Sequence, residues 1–333
     1  LMATFDDAAK KGIDSETLRV FSGLPADERV TRIDSEFVPA AKAPTVPSTP
    51  EEWSKMKDSW LQALRGKVFR GWPTEAASLE LREAGSAVYD GVTMRAWDFT
   101  PQAPFTLRLW LAHRTGLTPE QIQLVVLNAL DAEGWQQFSR MAAGHFPSLF
   151  PQSVRIGADG AGFAEEQKMY ATRPWAMAYV APRGIGLNAW SGPARAQTHR
   201  LRRFYLLGQT LDGMQVWDLR RSIEVLRSTG FGKPALWLQG ERAMGVNALY
   251  ASLFEPNIAR LDLHDPPASH ANGPIYLNVL KTLDVPQAVA MATGRSEVRI
   301  YASDPNAWAF PKGVAEEVGG KGGFEVRQPA ASE

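Results

Sequence analysis

The chain has 333 residues, 44% hydrophobic and 22% charged, with 36 lysines plus arginines against 36 aspartates plus glutamates. That content supports a sizeable core in one large α/β domain with an extension, or in two small domains, and the level charge balance gives no reason to expect nucleic acid, an anionic membrane or a strongly charged substrate. The absence of cysteine excludes disulfides, thiolate metal sites and cysteine catalysis. No apolar run approaches the roughly 18 residues of a spanning helix, and the first residues lack the basic start and apolar stretch of a signal peptide. A soluble protein is expected, exported only if a signal lies upstream, with its compartment open.

In chain order, residues 1–75 read as a helical arm with a Pro-rich linker, and residues 76–333 as the main domain. Residues 5–21 have helical apolar spacing, and Pro39, Pro44, Pro47 and Pro50 then break the chain. Thr49 as N-cap, Pro50 at the first helical position and Glu52 completing a capping box predict a helix start. Trp53, Met56, Trp60 and Leu64 follow on one face, which is expected to pack on the main domain rather than face water.

From Ser78 the apolar period becomes two. Leu79 and Leu81, then Val92, Met94 and Ala96, then Leu107, Leu109 and Leu111 predict strands, with turns at Gly85, Gly91 and Pro101-Gln102. Buried strands alternating with helices follow at residues 123–130, 176–181, 235–238, 258–263, 297–301 and 324–327, with a helix over 211–226. An antiparallel beginning and a parallel continuation predict an α/β fold with a mostly parallel central sheet and helices on both faces.

Residues 233–251, KPALWLQGERAMGVNALYA, read as a short buried strand, a sharp turn at Gly240 and a helix with Val246, Leu249, Tyr250, Leu253 and Phe254 on one face. This is the strand, turn and helix setting of a Gly-x-Ser-x-Gly nucleophile elbow. Its positions here are Gly240, Glu241, Arg242, Ala243 and Met244, followed by Gly245, and no other segment carries the motif. An arginine keeps its proton and has no lone pair with which to attack a carbonyl.

Residues 202–218, RRFYLLGQTLDGMQVWD, resemble the helix ahead of the nucleophile strand in α/β-hydrolases of the acetyl xylan esterase and dienelactone-hydrolase-like group. Residues 284–294, DVPQAVAMATG, resemble the segment that leads into the strand carrying the acid. Trp237 to Arg242 together with Leu261 to His264 is most similar to large environmental-bacterial proteins, among them tandem-domain ones. The resemblance covers residues 76–328 and implies the α/β-hydrolase fold.

Carried over by position, the resemblance puts Arg242 at the nucleophile, Asp304 at the acid, and the turn from Asp131 to Trp135 at the oxyanion site, where Asp131 and Glu133 would oppose a developing negative charge. The base histidine expected after residues 324–327 has no counterpart. Nucleophile and base act as a unit, so losing both removes most of the catalytic advantage. The implied function is a degenerate domain without an intact Ser-His-Asp triad, a structural or substrate-binding partner of an active esterase domain, with a second α/β-hydrolase domain or subunit as partner and a carbohydrate ester as ligand. The alternative is an active carbohydrate-acetyl esterase with an unconventional site around Glu241, His264, His270 and Asp304; a stand-alone carbohydrate-binding module is a third reading. An Arg242–Asp304 ion pair, with Glu241 or Glu133 nearby, is expected to fill the vacated site, against the competing idea that Arg242 points outward to an acidic ligand such as a uronate.

His264, Asp265 and His270 lie in a Pro-rich loop after a predicted strand. Their histidines are read as hydrogen-bonded to backbone, with a metal site or a relocated Ser269-His270 dyad as alternatives. Gly184 and Gly186 read as a strand-to-loop turn, lacking the third glycine, lysine and acidic residue of a nucleotide site. Arg195, His199, Arg200, Arg202 and Arg203 read as a solvated face. Trp135 and Trp190 are placed on loops at the carboxyl ends of strands, where their faces could stack on sugars. No cofactor or metal is expected, and neither nucleic acid nor a membrane as partner.

Overall fold

The structure, a computed structural model, describes residues 14–37, 39–75, 77–154, 159–319 and 322–329. It divides into two compact units, Leu1–Ala40 and Ala41–Glu333. In the first, a single 3₁₀ turn at Val30–Arg32 runs into the short helix α1 (Ile33–Phe37). The helix expected over residues 5–21 lies outside the described residues as far as residue 13, and residues 14–21 form turns and bends.

The boundary between units therefore falls at residue 40 rather than after residue 75, because helix α2 (Pro50–Ala63) shares the core of the second unit. The Thr49 side chain accepts the N–H of Glu52, and Glu52 reaches back to the N–H of Ser48, one residue before the cap. Trp53 is 5% exposed, and Leu64, in the π-helical turn Leu64–Val68 that continues α2, is fully buried. Trp60 meets Trp53 edge-on at 5.9 Å and Phe310 at 6.3 Å.

Nine strands form one sheet: β1 (Arg82–Tyr89), β2 (Val92–Gln102), β3 (Phe105–Arg114), β4 (Leu124–Ala129), β5 (Trp175–Val180), β6 (Ala235–Glu241), β7 (Ile258–His264), β8 (Glu297–Tyr301) and β9 (Phe324–Arg327), in the order β1-β2-β3-β5-β4-β6-β7-β8-β9. The contacts β1–β2, β2–β3 and β3–β5 are antiparallel and the rest parallel. Gly85 is not a turn: it sits at a register shift inside β1, where its φ of 155° belongs to a bulge. The β1–β2 turn uses Asp90 and Gly91, both with positive φ, as two-residue hairpins favour. The next turn falls beyond Pro101 and Gln102, at Ala103 and Pro104.

The helices α3 (Ala132–Ala142), α4 (Gly160–Thr172), α5 (Ala194–Leu206), α6 (Leu211–Ser228), α7 (Arg242–Phe254), α8 (Val285–Thr293) and α9 (Ala309–Glu317) complete the unit. Alternation along the strands separates two cores. Leu236, Leu238, Leu261, Leu263, Val298 and Ile300 face α6, α7, α8 and α9, while α3 and α4 cover the opposite side of β2, β3 and β5. Helix α7 is buried from Met244 to Leu253 on every side rather than along one face, because it lies against β6, β7, α6 and α8.

The second core does not extend to β7, β8 and β9. There the side chains cover one another: Arg260 lies 4.1 Å over the Trp237 ring and bonds Asp262 at 2.6 Å, and His264 stacks on Tyr301 at 4.4 Å. A fully buried ion pair ties the loop after β5 to α6, with Arg183 and Asp218 only 1% and 0% exposed. Arg183 gives its backbone N–H, Nε and Nη2 to that carboxylate and its Nη1 to Gln102.

Trp53→Ala should lower unfolding free energy by about 3–5 kcal/mol, as other large aromatic truncations in cores do. Urea denaturation checks this. A change no larger than that of an exposed control on α2, such as Lys55→Ala, would mean the helix is peripheral to the fold.

Candidate functional site

The site is built where β6 turns into α7. Gly240 and Gly245 touch across the turn: a Cβ on Gly245 would lie 2.8 Å from the Gly240 carbonyl oxygen, and one on Gly240 3.0 Å from the Gly245 Cα. Only glycines permit the strand and helix to approach this closely, so the elbow keeps its backbone although the second glycine stands three residues past the apex. Arg242 holds the apex with φ 49°, a left-handed conformation that costs a non-glycine residue about 1–2 kcal/mol.

The interactions of the Arg242 side chain offset part of that strain. Its Nε and Nη2 donate to Asp131 Oδ2 at 3.0 and 2.5 Å, its Nη2 lies 3.0 Å from Glu133 Oε2, and its Nη1 lies 3.0 Å from Glu241 Oε2. Burial opposes the charge, but the hydrogen bonds of Asp131 and the charges of Asp131, Glu241 and Glu133 outweigh it and raise the guanidinium's pKa.

Asp304 takes no part. Its carboxylate caps the 3₁₀ turn Pro305–Trp308 by accepting the N–H of Asn306 at 2.9 Å. The expected Arg242–Asp304 pair is thus replaced by pairing with Asp131 and Glu133 at the start of α3, which follows β4, the strand next to β6. From Asp131 the chain enters α3 directly, and Asp131 Oδ1 accepts the N–H of Gly134 at 2.8 Å, so that amide is unavailable to an oxyanion.

No protein-family model matches this sequence, and no curated protein matches it. Among solved structures, it is similar to a candidate acetyl xylan esterase from Bacteroides fragilis with a TM-score of 0.66 at 10% identity, over 93% of this chain and 84% of that one. A glucuronoyl esterase from Solibacter usitatus gives a TM-score of 0.59 at 12% identity, over 89% and 94% of the two chains. The chain has the α/β-hydrolase fold. At such identities the likeness is one of fold.

The loop after β7 carries His270 and follows His264. His270 is buried: its Nε2 meets the Tyr250 hydroxyl at 2.8 Å and its Nδ1 the Pro274 carbonyl at 2.8 Å. The carbonyl can only accept, so Nδ1 carries the proton and the tyrosine donates to Nε2. Ser269 is turned away, its hydroxyl donating to Asp284 at 2.6 Å. His264 ends β7 beside Glu241 of β6, with its ring against Tyr301. Among the described residues no group of three or more His, Asp or Glu could hold a metal ion.

Trp135 lies in α3 rather than on a loop, because the helix begins at Ala132. It packs 5.5 Å from Trp110 and over Gly186, where a Cβ would come within 2.9 Å of the indole. Trp190 does stand on the loop after β5, stacked with Phe204 at 5.9 Å and under Arg200 at 5.8 Å. Arg195, His199, Arg200, Arg202 and Arg203 all fall in α5, a helix with no buried residue.

The sequence reading overlooked a cavity of about 380 Å³ beside the elbow, lined by Asn128, Asp131, Gln137, Phe138, Asp159, Glu166, Tyr179, Gln239 and Glu241 among others. Its floor is one row across three strands, Tyr179 of β5, Asn128 of β4 and Gln239 of β6. The signal was present: Asn128 is the polar interruption in the otherwise apolar strand β4.

Arg242→Ala should destabilise the protein by about 1 kcal/mol or less, since the side chain is 41% exposed and its pairs are screened. The loss should shrink in high salt. A urea series at low and high ionic strength measures both.

Burial lowers the pKa of His270, against the opposing effects of the Pro274 hydrogen bond and Asp284. The folded state thus favours neutral imidazole, and below about pH 6.5 the unfolded chain takes up a proton that the folded chain resists. His270 therefore supports stability at neutral pH and loses that contribution as pH falls. The destabilisation caused by His270→Gln should narrow on going from pH 7.5 to pH 5, and a gap that widens instead would contradict the buried neutral assignment. The comparison is differential because His113 and His264 are shifted in the same direction, also by burial.

Proposed function

We infer that this α/β-hydrolase is catalytically silent towards esters and serves as a structural or ligand-binding partner of an active esterase domain. The observation that carries this reading is Arg242 at the apex of a well-formed elbow, bound by Asp131, Glu133 and Glu241. The nucleophile's place is filled by a group that cannot attack, and the carboxylates around it would repel a tetrahedral oxyanion. His270, the most buried histidine of the neighbouring loop, has both ring nitrogens committed. The structural neighbours bear the names of sugar-ester hydrolases, which supports a carbohydrate ester as the substrate of the partner domain rather than of this chain.

The purified, folded protein should not turn over p-nitrophenyl acetate above the buffer rate, and Arg242→Ser should not acquire activity because His270 is committed to Tyr250 and Pro274 and the His264 ring is stacked on Tyr301. Steady turnover that survives repurification and disappears in Glu241→Gln or His264→Ala would overturn this reading in favour of an unconventional esterase site.

A further inference from the structure

The cavity beside the elbow has polar atoms that the protein leaves unused. Asn128 is only 9% exposed, and its Nδ2 is directed to the Ala178 carbonyl at 3.1 Å and the Val126 carbonyl at 3.4 Å. Both partners can only accept, so the amide orientation is fixed and Oδ1 is left as a free acceptor in the cavity floor. Gln239, its neighbour on β6, makes no side-chain hydrogen bond among the described residues.

The described wall is rich in carboxylates. Asp131, Asp159, Glu166 and Glu241 line the space, and among the described residues no lysine or arginine does. The rim cation Arg242 is already committed to Asp131, Glu133 and Glu241. Glu166 is surrounded by protein but faces the cavity, and the Tyr170 and Tyr179 hydroxyls donate to it. Burial raises its pKa in spite of those two hydrogen bonds. Neutral phenols solvate the carboxylate, and among the described residues no counter-ion balances it.

We propose that this cavity binds an organic cation, a single-ring or similarly compact molecule carrying an ammonium group. The free Asn128 acceptor, the Gln239 amide and Glu166 take the ammonium protons, and Phe138 and Met141 of α3 face the apolar body. The volume of about 380 Å³ lies at the small end of ligand pockets. An anion is disfavoured by the wall of carboxylates, and a bare metal ion by the lack of a ligating cluster among the described residues. A neutral polyol could satisfy the amides but would gain nothing from the field. The proposal shares with the functional reading above only the absence of a nucleophile, and binding is read without ester turnover, so either can fail alone.

The test is calorimetric titration of the full chain with benzylamine against benzyl alcohol, and with glucosamine against glucose and glucuronate. The ammonium member of each set should bind at least about tenfold more tightly than its neutral partner, as one charge-assisted contact in a shielded site allows. Glu166→Gln, which keeps an acceptor for the tyrosines, should remove that preference while leaving the melting temperature near the parent's. Amide NMR of the parent should place the perturbation on the Asn128 and Gln239 side chains. Equal binding of charged and neutral partners, tighter binding of glucuronate, perturbation elsewhere, or no binding at millimolar concentration would each overturn the proposal. The ligand series on the parent protein decides the matter even if the variant does not fold.

Discussion

One guanidinium surrounded by three carboxylates governs the centre of this molecule. Arg242 stands at the apex where β6 ends and α7 begins, and its partners come from the first turn of α3 and from its own strand. The pairing fixes three things together. It stabilises a left-handed arginine, holds α3 against the carboxyl edge of the sheet, and keeps negative charge at a point where acyl chemistry requires its opposite. The backbone beneath is set separately, by the contact of Gly240 with Gly245. The backbone of the elbow and the side chain at its apex are therefore held by separate interactions.

Much of the scaffold was legible because burial leaves a one-dimensional trace. β4 is apolar over nearly its whole length since both its faces are covered, and the strands at residues 258–264, 297–301 and 324–327 were bounded to within a residue. Arg242 was equally visible, as a residue type unable to do its position's work. What the sequence withheld was pairing over distance. Asp131 lies 111 residues from Arg242, and although the resemblance puts both near one turn, nothing in either segment announces that Asp131 rather than Asp304 takes the guanidinium. Asp304 looked available until its carboxylate proved to be a local cap. Gly85 was read as a turn because a glycine in a bulge and a glycine in a turn look alike without the partner strand.

The two sides of the sheet are finished by different means. On one, aliphatic side chains meet a layer of helices, and on the other, beyond β6, arginines, aromatics and carboxylates close over the strands themselves. Asp262 is 4% exposed through this side-chain cover. The cavity lies where the two styles meet, between α3, α4 and the row Tyr179, Asn128 and Gln239. Polar residues in that row are consistent with a wetted boundary between layers, since a dry core would leave such amides unsatisfied.

The ion pair of Arg183 and Asp218 has a bearing on how the molecule comes apart. Neither group can be exposed singly without leaving a charge in a dry interior, and Gln102 and Gln215 are bonded to the same arginine. The loop after β5, the end of β2 and helix α6 are thereby joined into one cooperative opening unit. Their amide hydrogens should exchange with solvent at a common rate, set by a single concerted fluctuation rather than by the separate fraying of three segments.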